Sequence, residues 1–187
     1  MTRLAALQAE PAAAPVDAAA LRRVDWRFLL PDAALGSTAV AGPADDDLLA
    51  GLAAVARDVR SLAGGAALRY DVVVVTDAAP GDVARATRHV RAGGWLYAET
   101  TGRRAAACAR RLRAAGFREV ELHWLWPSAA ACREMIPLAH THAVLAALDR
   151  RDPGARLRLR ARAAAALART PALRLALPAV AVTGSAP

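Results

Sequence analysis

The segment Tyr70-Asp71-Val72-Val73-Val74-Val75-Thr76-Asp77 constrains this chain more than any other. Its β-branched residues run without polar alternation, the pattern of a strand buried on both faces in a parallel sheet flanked by helices. The residues after the run agree. Pro80-Gly81-Asp82 opens a helical segment, with Pro and an acid at its start and His89 and Arg91 at its end, as the helix dipole favours. Gly93-Gly94 stops that helix, and Trp95 to Ala98 is the next expected strand. Thr101 to Ala115 reads as a second helix closed by Gly116, and Phe117 to Trp124 as a third strand. This alternation predicts right-handed crossovers and a doubly wound α/β sheet.

Upstream the pattern is shorter. Leu35 to Gly42 reads as a first strand ending in a tight turn, and Leu48 to Ala56 as a helix whose opening carries Asp45, Asp46 and Asp47. Arg57 to Leu62 is a short second strand. Only about 30 residues separate the first strand from the valine-rich one, the span of a single crossover unit, so the first half of the sheet is compressed. Residues 1–20 are Ala/Pro-rich and expected to be loose, leaving 21–187 as one domain. Val24 to Leu30 carries apolar residues able to anchor a lid or an edge segment. Beyond Pro127 the sequence predicts helices from Ser128 through Met135, from His140 or Thr141 to Arg150, and from Ala155 to Arg169. Together they form a helical insertion at about 127–174 before a last strand at Leu175 to Thr183.

Charge narrows the function classes. The 187 residues carry a formal net charge of +8, yet all 25 basic residues are arginine. With isoleucine and asparagine nearly absent, that bias points to GC-rich coding of the actinomycete kind. The arginines are spread along the chain and do not form a basic block with interleaved aromatics, which argues against nucleic acid as a partner. No apolar run reaches the roughly 18–20 residues that cross a bilayer, and the N-terminal residues lack the apolar stretch of a signal peptide. A cytoplasmic protein is expected. Cys108 and Cys132 lie outside any metal spacing and suit small buried residues of a reducing compartment.

Tyr70–Val75, then Val90-Arg91-Ala92-Gly93-Gly94-Trp95-Leu96, then Leu112-Arg113-Ala114-Ala115-Gly116-Phe117-Arg118-Glu119-Val120 resemble the second half of a class I S-adenosylmethionine-dependent methyltransferase. The resemblance covers roughly Asp71 to Trp124 and assigns the three strands as the fourth, fifth and sixth of a Rossmann-like methyltransferase sheet, with the last strand as an antiparallel seventh. It implies S-adenosylmethionine as cofactor, bound at the glycine turn after the first strand, here Ala41-Gly42-Pro43-Ala44-Asp45. Gly42 and Asp45 are the cofactor-binding candidates in that turn, and Asp77, at the end of the Val-rich strand, is a third. The turn holds one glycine where the family has two or three. The second strand ends near Leu62-Ala63-Gly64 without the acid that meets the cofactor's ribose.

Other residues keep two readings each. Asp77 either faces a ligand or caps the helix after it. His123, within Glu121-Leu122-His123-Trp124-Leu125-Trp126-Pro127, is a structural histidine or a catalytic base. Trp124 and Trp126 share a strand face and either wall a substrate pocket or pack in the core. Glu99 reaches the cleft or faces solvent, while Tyr97 is expected to be buried against a helix. His140 and His142 lack a third ligand cluster, so no metal is expected. The arginines at 156, 158, 160 and 162 are a solvated face or a site for an acidic partner. The whole chain admits two functions. One is a methyltransferase acting on a small molecule in specialised metabolism; the other is a cofactor-free accessory or binding protein, or one with non-methylating chemistry.

Overall fold

The computed structural model describes residues 17–62, 68–140, 175 and 177–187. The seven strands among the described residues are β1 (Ser37–Ala41), β2 (Asp58–Ser61), β3 (Tyr70–Val75), β4 (Val90–Thr100), β5 (Arg118–Trp126), β6 (Glu134–Pro137) and β7 (Val180–Ser185). They form one sheet in the order β2-β1-β3-β4-β7-β5-β6. β1 to β4 are mutually parallel, β7 is antiparallel between β4 and β5, and β6 is a hairpin partner of β5. The Val-rich strand lies inside the sheet between β1 and β4, and Val73, Val74 and Val75 are almost wholly buried, as a strand covered on both faces must be.

Helices cover the two faces separately. Leu48 and Leu52 of α2 (Asp46–Val55) pack with Val24, Trp26, Val74, Tyr97 and Leu125 on one side. Val83 and Ala86 of α3 (Pro80–Ala86) and Ala105, Cys108 and Leu112 of α4 (Gly102–Ala114) pack with Val73, Val75 and Trp124 on the other. α1 (Ala18–Arg23) lies on α2 so closely that a Cβ on Gly51 would stand 2.2 Å from the Ala20 carbonyl oxygen.

Several boundaries differ from expectation for local reasons. α1 begins at Ala18, inside the stretch expected to be loose, because Asp17 caps it, its carboxylate accepting from the Ala19 N–H at 3.1 Å. Val24 to Leu30 is neither lid nor edge but a 3-10 turn (Asp25–Leu29) whose Trp26 is in the core. The helix after the Val-rich strand ends at Ala86, and β4 starts at Val90, so Gly93-Gly94 lies within a strand. The helix expected from Ser128 is absent: Ser128 Oγ accepts from Ala131 N in a turn, and Met135 and Ile136 pair with Leu125 and Trp124. Apolar residues two strands wide stabilise the hairpin better than a lone helix of eight residues. The last strand starts at Val180, past Pro178, which has no N–H for the ladder. Most of the expected helical insertion, including His142 and the arginines at 156–162, lies outside the described residues.

Candidate functional site

Ligands of open α/β sheets bind at the carboxyl ends of the strands, where the chain turns to opposite sides of the sheet. Here that point lies between β1 and β3: β1 leads through α2 to β2 on one side, and β3 leads through α3 to β4 on the other. A crevice of about 700 Å³ opens there on the α3 face, lined by Gly42, Ser61, Thr76, Asp77, Asp82 and His89 among others. The connection from β2 to β3 is eight residues, 62–69, shorter than the dozen or more of a helical crossover.

The floor of the crevice requires glycine. Gly42 has φ +93°, and a Cβ there would lie 2.4 Å from the Thr76 carbonyl oxygen and 2.7 Å from Thr76 Oγ1. Thr76 secures the turn, its N–H donating to Ala41 O at 2.9 Å and its hydroxyl to Pro43 O at 2.6 Å. Asp77 is also left-handed, φ +45°, a conformation Asp tolerates better than most residues. It faces Arg104 at 3.4 Å and remains 71% exposed. It does not cap α3: that N-terminus begins at Ala79, whose N–H donates to Asp82 Oδ2 at 3.0 Å.

The opposite face of the same strand ends is filled by a residue that sequence reasoning missed. Arg23, at the end of α1, donates to both oxygens of Glu99 at 2.5 and 2.8 Å and to Asp45 at 3.0 Å. The Arg23 and Glu99 side chains are 4% and 7% exposed. Tyr97 donates to Glu99 at 3.0 Å and stacks on Trp26, ring centroids 4.1 Å apart. Burial works to lower the Arg23 pKa, but the hydrogen bonds and charges of Glu99 and Asp45 outweigh it and hold the guanidinium above its ordinary value. Burial and Glu99 push the Tyr97 phenol up.

Of the residues named from sequence, therefore, Gly42 and Asp77 line the crevice together. Asp45 does not: its carboxylate caps α2 through Leu48 N at 2.7 Å and pairs with Arg23. Glu99 is neither solvent-facing nor in the crevice. Trp124 and Trp126 share a face in a T-shaped contact of 5.6 Å, with Trp124 buried in the α4-side core. His123 points the other way. It lies level with Ala181 and Glu99 across the sheet, on the α1 side. Its Nδ1 is buried without a hydrogen-bond partner among the described residues, and Nε2 is 3.5 Å from Glu121. Burial lowers its pKa below the ordinary value, and Glu121 opposes that. Both thiols are raised by burial. Among the described residues no group of His, Cys, Asp and Glu could hold a metal ion, and no helix is long and apolar enough to cross a membrane. The signal for Arg23 was available only as an arginine ending an Ala-rich segment, and nothing in the sequence pairs it with Glu99.

No family model and no curated protein matches the sequence. Among solved structures, the chain is similar to a SAM-dependent methyltransferase of Thermotoga maritima at 11% identity and TM-score 0.46, over 90% of this chain and 88% of that one. It is similar to phosphoethanolamine N-methyltransferase 2 of Haemonchus contortus, solved with S-adenosylhomocysteine, at 10% identity and TM-score 0.43, over 90% of this chain and 38% of that one. The cyclase SpnF gives 12% identity and TM-score 0.40, over 89% and 79%. Likenesses this distant carry no weight on function. The fold rests on the sheet itself, where β3, β4 and β5 hold the places of the fourth, fifth and sixth strands and antiparallel β7, between β4 and β5, that of the seventh. The chain has an α/β, Rossmann-like fold of the class I methyltransferase type.

Proposed function

We propose that this chain is an S-adenosylmethionine-dependent methyltransferase-like protein that acts on a small molecule in bacterial specialised metabolism, in the cytoplasm. The observation that carries the reading is the crevice at the switch point, whose floor at Gly42 leaves no room for a Cβ. The residues present fit the cofactor there: Gly42 gives close backbone approach, and Ser61, Thr76 and Asp77 offer polar groups at the strand ends. When bound, the cofactor supplies an electrophilic methyl group. The chain's own part is to hold and orient the two reactants, which by itself contributes a large share of the barrier reduction. His123 lies across the sheet from the crevice and has no part in this scheme.

A specific observation favours a second reading, a cofactor-free binding or accessory protein. β2 ends at Ser61 and Leu62 with no carboxylate, and Asp45 is already engaged by α2 and Arg23. Calorimetric titration with S-adenosylmethionine and S-adenosylhomocysteine, at low and moderate salt, separates the two. Under the first reading both ligands bind and Asp77→Asn weakens them about tenfold, the loss expected for one charge-assisted hydrogen bond. No heat from folded protein with either ligand leaves the second.

A further inference from the structure

At the other end of the sheet, the amino ends of β1, β3 and β4 border a second hollow of about 880 Å³. Its mouth is shaped by an irregularity in β4. Tyr70 pairs with Val90 and Val72 with Trp95, so residues 91–94 stand opposite Asp71 alone. Bulges re-aim side chains, and this one brings Arg91 Nε to 2.5 Å from Asp71 Oδ1. Gly93, at φ +70°, and Gly94, where a Cβ would lie 2.7 Å from the Asp71 carbonyl oxygen, make the excursion possible.

Arg57 approaches the same carboxylate from the other side, Nη2 to Oδ2 at 3.6 Å. Asp71 does not depend on either arginine for its hydrogen bonds, because the Ser37 N–H and hydroxyl both donate to Oδ2 at 2.6 Å. Each guanidinium, by contrast, commits one nitrogen to Asp71 and keeps its other donors. The two arginine side chains stand 77% and 61% exposed beside the hollow. Asp32 also lines the hollow, and its carboxylate accepts from Ala34 N at 2.9 Å within its own turn. Leu30, Pro31, Val55 and Trp95 give the hollow an apolar wall.

We propose that this hollow binds a small organic carboxylate with an apolar body. Its carboxylate lies on the free donors of Arg57 and Arg91, in the fork geometry that suits guanidinium, and its body lies against Leu30, Val55 and Trp95. Asp71 is a positioning residue that holds the two arginines over one spot. The site is separate from the crevice, at the opposite ends of the same strands, and does not depend on what the crevice takes.

Octanoate is the probe, with octanol and octylammonium as chemical comparisons, titrated into the full chain by calorimetry. Octanoate is expected to bind saturably at one site and more weakly at high salt, with octanol and octylammonium at least about tenfold weaker. The double substitution Arg57→Gln and Arg91→Gln, both on exposed side chains, is expected to weaken octanoate at least about tenfold while the melting temperature stays within a few degrees. Absence of saturable octanoate binding overturns the proposal. So does equal binding of octanol, or octanoate binding that the double substitution leaves unchanged. Should the double variant not fold, the comparison of octanoate with octylammonium on the native chain decides alone.

Discussion

Arg23 ties the end of α1 to Glu99 on β4 and to Asp45, the cap of α2. A buried ion pair is costly to assemble, and removing one partner strands the other charge in a poorly solvated place. Arg23→Ala is therefore expected to cost about 3–5 kcal/mol, measured by urea unfolding, because Glu99 then keeps only the Tyr97 hydroxyl. The double replacement Arg23→Met with Glu99→Leu is expected to recover most of that loss, since well-packed apolar residues often substitute for a buried pair at no net cost. If the double variant is as unstable as the single one, Asp45 and not Glu99 is the partner that matters. His123 makes a different kind of statement. Its imidazole titrates below the ordinary 6.5 because burial disfavours the charged form. The unfolded chain then binds the proton more readily, so stability is full above about pH 6.5 and falls as pH drops through that value. Melting temperatures measured between pH 7.5 and 5.5 should show this fall, and His123→Gln should flatten it.

At the scale of elements, α1 and α2 pack so closely that no side chain fits between them at Gly51. Gly51 is the position that lets the two helices meet at the Ala20 carbonyl. Alanine gains up to about 1 kcal/mol over glycine in a helix, yet Gly51→Ala is expected to destabilise, because a Cβ at 2.2 Å must move backbone and not a pliant side chain. The useful readout is protease cutting after Arg22 and Arg23, which should speed up as α1 lifts. The elements themselves were readable to different depths. β3 needed nothing but its valines, and the end of α4 was marked by Gly116. β6 was missed because Met135 and Ile136 are as compatible with a helix as with a strand until their partners on β5 are known. The start of β4 was misjudged because glycines normally end elements, whereas Gly93 and Gly94 here serve a bulge inside one.

For the whole molecule, the alternation of strand and helix was enough to anticipate a doubly wound sheet, whereas the antiparallel strand near the C-terminus was implied only by the resemblance to class I methyltransferases. The crevice was half legible. Gly42 and Asp77 could be named because a turn after a first strand and the end of a central strand are set by local sequence. Asp45 and Glu99 were misplaced because their fate depends on Arg23, 22 and 76 residues away, and no periodicity reports a contact of that range. Charge follows the same division of scales. Asp71, held below the usual carboxylate range by Ser37, Arg91 and Arg57 against the opposing effect of burial, contributes stability that is present at neutral pH and lost only as pH falls below its ordinary 3.8. Acid unfolding should accordingly show two separate limbs, one near His123 and one at strongly acid pH, and Asp71→Asn should remove only the second.

The bond between Arg23 and Glu99 also sets an order of events during synthesis. α1 is among the first described segments to leave the ribosome, yet its anchor is made 76 residues later. At roughly 5–20 residues per second, the helix waits several seconds with its guanidinium in water and Trp26 without Tyr97 to lie on. α1 is thus secured well after it is made, and the end of β4 is the moment at which it closes.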